Sequence, residues 1–292
     1  MKIAILGPTA SGKSALAVAV ARRVGGTVVN GDPFQALEGL AIGTGQPTLA
    51  ERGEIPHLGY AVLPLAARPN PSDFGAAVRG WMESLAKPVL VTGSGLYLRG
   101  IWNQLTALPH VAPPLVEKVR ALGTRLGPRR LHRYLRAVDP QRSAELHPND
   151  LPRIQRALAL HFATGGRPSV LLSGVAPVPA DWRVLVVQPA RERQRERVAA
   201  RVKAQFAAGW PEEARRLQEA GHGPDLEALR PLGYSLLMAQ GLPEAELRER
   251  VVQATQAYAK RQATWFRNQL PGIPAWDPDA ESLEQALARL GI

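Results

Sequence analysis

The sequence predicts an α/β protein: a parallel sheet covered by helices, interrupted by a helical insertion. Two observations carry this. Short apolar runs at Lys2–Leu6, Thr27–Asn30, Pro88–Thr92 and Trp182–Val187 alternate with helical stretches, the order that builds a parallel sheet with both faces buried. Between residues 112 and 178 the alternation stops. A helical pattern there is bracketed by Pro109 and Pro113-Pro114 on one side and by Gly165-Gly166, Pro168, Gly174, Pro177 and Pro179 on the other. The expected organisation is a core of residues 1–111 and 179–292 with an insertion of residues 112–178.

The elements follow in order. Lys2–Leu6 is apolar and stops at Gly7, and residues 15–24 are an Ala-rich helical stretch, giving strand, glycine loop and helix. Thr27–Asn30 is the second strand. An amphipathic stretch at residues 74–85 precedes the third strand, Pro88–Thr92, and Trp182–Val187 supplies a fourth. From Arg191 onward the chain reads as long helices, broken near residues 221–224 and 231–234, and Glu244–Gln269 ends before Pro271.

Charge is distributed unevenly. Of 292 residues, 36 are Lys or Arg and 25 are Asp or Glu, a net charge of +11. Residues 118–203 hold 18 cations against six anions, whereas residues 204–292 hold nine against twelve, so the surplus lies in the middle of the chain. A localised basic face suits a nucleic-acid backbone; a composition bias toward Arg would raise the total without such a pattern. The run from Arg191 to Arg197, where Glu192 and Glu196 alternate with Arg, reads as a solvated helix face laced with ion pairs. Residues 118–156, poor in acids, read as phosphate-facing. Hydrophobic residues make up 45% of the chain, enough to exclude disorder as its main state. No apolar run is long enough to span a membrane, the N-terminus shows no signal-peptide pattern, and cysteine is absent. A cytoplasmic protein that works without a membrane is expected.

The segment Gly7-Pro8-Thr9-Ala10-Ser11-Gly12-Lys13-Ser14 fits G-x-x-x-x-G-K-[ST] between a strand and a helix, the P-loop context. Glycines let backbone N–H groups curl around phosphate oxygens, the helix N-terminus adds its dipole, Lys13 supplies countercharge, and the Ser14 hydroxyl can ligate Mg²⁺. The motif admits a nucleotide or another diphosphate. Asp32, at the end of the second strand with Gln35 three residues on, is either a proton acceptor at the ligand edge of the sheet or a turn-forming Asp before Pro33.

At this point the chain resembles the tRNA dimethylallyltransferases, which prenylate the adenosine next to the anticodon. The resemblance runs through nearly the whole chain. It includes residues 7–14, Asp32 with Gln35, Ile42-Gly43-Thr44 followed by Pro47, Pro56-His57, and Gly93-Ser94-Gly95-Leu96-Tyr97. It continues with His147-Pro148-Asn149-Asp150, then Arg153 and Arg156-Ala157-Leu158, Gly233-Tyr234, and Lys260-Arg261-Gln262-Ala263-Thr264-Trp265-Phe266-Arg267. By that resemblance the protein has a P-loop NTPase-like core and transfers a dimethylallyl group from dimethylallyl diphosphate to the N6 amine of adenosine in tRNAs that read codons beginning with U, without ATP.

The resemblance also assigns roles. Asp32 is the general base and Ser94, where the family usually has Thr, contacts the amine or the diphosphate. Gly7, Thr9, Ala10, Ser11, Gly12, Lys13, Ser14 and Arg261 bind the diphosphate, with Mg²⁺ on Ser14. The tRNA contacts are Asp32, Pro33, Phe34, Gln35, Ser94, Arg153, Arg156, Lys260, Arg261, Gln262, Thr264, Trp265 and Arg267, and the helical insertion grips the anticodon stem-loop. A monomer is expected. Phe266 is read as helix packing, His57 as packing or capping, and Asn149 or Asp150 as the cap of the helix carrying Arg153 and Arg156. The chain departs from the family at Pro33, Leu37-Glu38, Ala41, Gln46 and Leu58, losing cations at Glu38 and Gln46. Two other readings of the glycine loop are a small-molecule kinase and a non-catalytic nucleotide-dependent RNA-binding module. No acidic residue stands at the end of the third strand, where Val91-Thr92-Gly93-Ser94-Gly95 is found instead, which weakens an ordinary ATPase reading.

Overall fold

The computed structural model describes residues 1–105, 109, 111–172, 177–239 and 241–292. It divides into two compact units, Met1–Gln104 with Pro177–Ile292, and Leu105–Ala176. The sequence pattern places the insertion at residues 112–178, and its structural start lies a few residues earlier.

In chain order the first unit opens with β1 (Lys2–Leu6), α1 (Lys13–Val24), β2 (Thr27–Asn30), α2 (Pro33–Ala36), α3 (Ala41–Thr44), α4 (Leu49–Arg52), β3 (His57–Leu58), α5 (Pro71–Glu83), β4 (Pro88–Thr92) and α6 (Gly95–Ile101). The second unit holds α7 (Pro113–Leu126), α8 (Pro128–Val138), α9 (Pro140–Glu145), α10 (Leu151–Thr164) and α11 (Pro168–Leu171). The first unit resumes with β5 (Trp182–Val187), α12 (Arg191–Ala207), α13 (Trp210–Glu219), α14 (Gly223–Leu229), α15 (Tyr234–Leu237), α16 (Glu244–Gln269), β6 (Ala275–Trp276) and α17 (Leu283–Leu290).

The six strands form one sheet in the order β3-β2-β4-β1-β5-β6, and every pairing is parallel. Both faces of its central strands are buried, which is why they read as unbroken apolar runs. Ile3 and Ile5 point to the face covered by α1 and α17, where Leu16, Val20 and Leu287 complete the core. Ala4 and Leu6 point to the opposite face, packed by Phe74 and Val78 of α5, Leu98 and Ile101 of α6 and Phe266 of α16. A third cluster joins α12 to α16 around Trp210 and Tyr234. Parallel strands deliver all their C-terminal ends to one edge, where an open α/β sheet places its ligand. Here that edge collects the glycine loop after β1, Asp32 after β2, Gly93 and Ser94 after β4, and Gln188 after β5.

The second unit has its own core, with Leu131 and Leu135 of α8 and Ile154 and Leu158 of α10 buried at i,i+4 spacing. Pro128 opens α8 at a position where its missing N–H has no partner to lose. The face of α8 turned to solvent carries Arg129, Arg130, Arg133 and Arg136, with Tyr134 59% exposed among them. Asp150 caps α10 by accepting from Arg153 N at 3.4 Å, which leaves Arg153 and Arg156 exposed on its first turns.

Candidate active site

A cavity of about 250 Å³ sits at the C-terminal edge of the sheet, lined by Thr9 and Lys13 of the glycine loop, Asp32, Phe34 and Gln35 after β2, Thr92 at the end of β4, and Arg261 and Gln262 of α16. These are residues that the sequence singled out, apart from Thr92. The lining also includes Arg201 and Gln205 of α12, Trp210, Arg230, and Thr255 and Tyr258 of α16, which sequence reasoning missed.

Asp32 is held by three local devices. Asn30, fully buried, accepts from Asp32 N at 2.8 Å and donates to Asp32 O at 2.9 Å and Gly59 O at 2.8 Å, which fixes the backbone. Asp32 Oδ1 accepts from Phe34 N at 3.0 Å and caps α2, and Pro33 fits the first helical position. The turn reading and the functional reading are therefore both satisfied, since the capping carboxylate also faces the cavity. Burial pushes its pKa above the ordinary carboxylate range, opposed by the charge of Lys13 and the N–H groups of Phe34 and Gln35.

Burial has the opposite effect on the facing cation: the Lys13 ammonium is lowered to about 8 by desolvation and then by Arg201, with Asp32 pulling it back up. Arg201 is itself half-buried and donates to Thr44 O at 3.2 Å. Two half-buried cations set against one cavity carboxylate leave a surplus of positive charge, which an anion would relieve. The glycine loop completes it. A Cβ on Gly7 would lie 2.6 Å from Val187 O, so only glycine lets the loop pass the end of β5.

The remaining predicted residues separate. Gln35 donates through Nε2 to Thr44 O at 3.0 Å and Gly45 O at 2.8 Å, bracing the Ile42-Gly43-Thr44 turn. Ser94 begins α6, its N–H donating to Thr92 Oγ1 at 3.1 Å, and its hydroxyl makes no capping bond; it stands beside the cavity and is not part of its lining. Lys260, Thr264 and Arg267 line a second groove, of about 460 Å³, with Pro8, Arg191 and Arg195. Trp265 lies against Gly95, whose Cβ would sit 2.2 Å from the indole, and Arg99 rests 5.7 Å from its ring. Phe266 is 1% exposed in the sheet-face core. Phe266→Ala is expected to cost about 3–5 kcal/mol of stability, read as a lowered denaturation midpoint. His57 opens the edge strand β3, with Nδ1 2.8 Å from Ile55 O, and lies outside the cavity lining. Arg153 and Arg156 belong to the second unit.

No group of three or more His, Cys, Asp or Glu residues able to hold a metal occurs among the described residues. Magnesium commonly takes few protein ligands and several phosphate oxygens. The Ser14 hydroxyl, exposed at the first turn of α1 and engaged in no hydrogen bond among the described residues, fits such a role.

A glycine loop at the end of the central strand β1, with a carboxylate across one small cavity, marks a P-loop-like α/β protein with a site suited to a phosphate-bearing ligand. The family model described as IPP transferase matches residues 35–269, and one described as Isopentenyl transferase matches residues 1–55. The chain belongs to the tRNA dimethylallyltransferase family. It is 39% identical over 283 residues to the tRNA dimethylallyltransferase of Rhodospirillum centenum, covering 93% of this chain and 90% of that one. To the tRNA dimethylallyltransferase of Anaeromyxobacter dehalogenans it is 38% identical over 291 residues, with 95% and 96% covered. Among solved structures, the tRNA isopentenylpyrophosphate transferase of Bacillus halodurans matches with a TM-score of 0.69 at 26% identity, over 99% of this chain and 96% of that one. A eukaryotic dimethylallyltransferase described as acting on tRNA matches in fold with a TM-score of 0.80 at 23% identity, over 98% and 78%.

Proposed function

We propose that this enzyme transfers a dimethylallyl group from dimethylallyl diphosphate to the N6 amine of the adenosine beside the anticodon of tRNA. The observation that carries this reading is the single cavity lined by Asp32 together with Lys13, Arg201 and Arg261. The amine nitrogen bonds to the allylic carbon, the carbon–oxygen bond to diphosphate breaks, and the amine proton passes to Asp32. A carboxylate whose burial raises its proton affinity suits that acceptance at neutral pH. The departing diphosphate gains charge as the bond breaks, and the loop N–H groups with Lys13 and Arg201 are placed to stabilise it. The Ser14 hydroxyl would hold Mg²⁺, which would supply further countercharge for the departing diphosphate. Trp210, Pro231 and Leu232 offer an apolar wall for the five-carbon chain. An aromatic amine is a weak nucleophile, so alignment by the cavity supplies much of the acceleration.

The second unit is assigned to the tRNA backbone. Residues 105–176 hold eleven Lys or Arg against four Asp or Glu. Arg120 pairs with Glu117 at 2.7 Å, Arg142 with Glu145 at 2.5 Å and Arg153 with Asp150 at 3.5 Å, whereas Arg129, Arg130, Arg133, Arg136 and Arg156 make no ion pair among the described residues. Cations free of carboxylates are available to phosphates. Arg153→Ala combined with Arg156→Ala is expected to weaken tRNA binding and to flatten its dependence on log salt by about 1 for each phosphate left without its arginine. An unchanged slope would move the backbone contact off α10. Among the described residues no helix is long and apolar enough to cross a membrane, and the reaction is assigned to the cytoplasm, with the enzyme acting as a monomer.

The test of the reading is direct. Radiolabelled dimethylallyl diphosphate should label an anticodon stem-loop containing the target adenosine, with diphosphate released and no ATP required. ATP hydrolysis with no label in the RNA would instead support the kinase or the nucleotide-dependent binding module.

A further inference from the structure

We propose that Gln262 and Gln194 are positioning residues that hold the glycine loop in register with the end of β4, fixing the diphosphate cradle relative to the loop that carries Ser94. This rests on the reading of the glycine loop as the diphosphate site. Family resemblance would place Gln262 against the RNA, yet both polar ends of its side chain are committed to the protein. Its Oε1 accepts from Thr9 N at 2.8 Å, and its Nε2 donates to Gly93 O at 2.8 Å in a buried bond. One amide therefore ties the loop after β1 to the loop after β4. The tie also accounts for a glycine, because a Cβ at position 93 would stand 2.7 Å from Gln262 Nε2.

The next peptide group of the loop, through the carbonyl of Thr9, is held by a different helix. Gln194 of α12 donates from Nε2 to Thr9 O. Its own Oε1 is left buried without a partner. Turning the amide over would set its oxygen against Thr9 O, so the contact with Thr9 needs the amide in this orientation. Gln194 lines the outer groove and not the cavity, so it reaches the diphosphate site only through the Thr9 carbonyl. A loop of glycines and small residues loses much entropy when ordered. Two glutamines that order it before substrate arrives lower what binding must spend on that ordering.

Inorganic diphosphate with Mg²⁺, titrated calorimetrically into the whole protein, tests this with Gln194→Leu, Gln262→Leu and Gln262→Glu. Gln194→Leu is expected to weaken diphosphate binding roughly tenfold, the effect of one lost hydrogen bond, and Gln262→Leu, which loses both of its bonds, by more than that. The kcat should fall with it while tRNA affinity stays at the wild-type value. Gln262→Glu keeps an oxygen for Thr9 N–H but has no proton for Gly93 O, so it should be impaired at least as much as Gln194→Leu. Gln194 is only partly buried, so its variant keeps the test open if Gln262→Leu fails to fold. Equal diphosphate affinity in wild type and variants overturns the proposal. So does loss of tRNA affinity with diphosphate binding intact, which would return Gln262 to the RNA. A wild-type protein that binds no diphosphate would overturn the reading of the glycine loop itself, a different result from variants that match a binding wild type.

Discussion

Asp32→Asn is expected to slow prenyl transfer by about 10²–10⁴-fold while leaving tRNA affinity unchanged. Asparagine is the informative substitution because its side-chain oxygen can still accept from Phe34 N and cap α2, as Asp32 does at 3.0 Å. What it loses is the capacity to take a proton. Alanine would remove the cap as well and mix a structural cost of about 1 kcal/mol into the rate. The pH profile provides a second readout. Burial raises the pKa of Asp32, so the fraction ionised, and with it the rate, is retained above that raised value and lost as pH falls through it. The acid limb of a single-turnover profile should lie above the ordinary carboxylate range and vanish in Asp32→Asn. If the asparagine enzyme keeps its rate, Asp32 is no base; if tRNA affinity falls as far as the rate, Asp32 is a docking residue.

The sheet edge was legible because its elements are punctuated. Gly7 ends β1, Gly31 follows β2 and Gly93 follows β4, and each break sits where the chain must turn toward the ligand. The two edge strands, His57–Leu58 and Ala275–Trp276, were not legible, since two residues are too short to show a period. The motif at residues 260–267 shows a different limit. Successive residues of a helix point about 100° apart, so one motif serves several surroundings. Arg261 and Gln262 reach the cavity with Tyr258, Lys260, Thr264 and Arg267 face the outer groove, and Phe266 enters the core. Family resemblance marks the segment as one unit, and only the turn of the helix partitions it.

Two other family segments explain each other once folded. Gly43 and Gly233 both lie against Trp210, where a Cβ on Gly43 would come 2.1 Å from Trp210 Nε1 and one on Gly233 would come 2.5 Å from the indole. Glu213 accepts from Ile42 N at 2.8 Å, Gly43 N at 3.0 Å and Tyr234 Oη at 2.5 Å. A buried carboxylate thus binds the two motifs together and sets Thr44, whose carbonyl oxygen receives both Gln35 and Arg201. The neutral Gln46, standing where the family has lysine, donates instead to Gln35 O at 3.0 Å and Leu37 O at 2.8 Å. It braces the same turn without adding charge.

Arg201 was hidden by its neighbours. The alternation of Arg and Glu from 191 to 197 reads as a solvated face, but Gln194, Val198, Arg201 and Gln205 recur at helical spacing on a side that turns inward. An arginine within a stripe containing Val198, Val202 and Phe206 is the signal that could have found it, because a buried guanidinium needs an anion to face. Arg201→Ala is expected to lower kcat by about 10²–10³-fold, the range for removing one donor from a developing oxyanion. The sign of a second effect distinguishes this from general damage. Arg201 helps depress Lys13, so its removal should raise the Lys13 pKa above about 8, moving the alkaline loss of diphosphate binding to higher pH. Arg201→Lys keeps the charge but not the planar fork, so it should leave Lys13 depressed and recover only part of the rate. A variant that loses activity with the alkaline limb unmoved would assign Arg201 to bracing Thr44 alone, and the countercharge for the leaving diphosphate would then fall to Lys13 and Arg261.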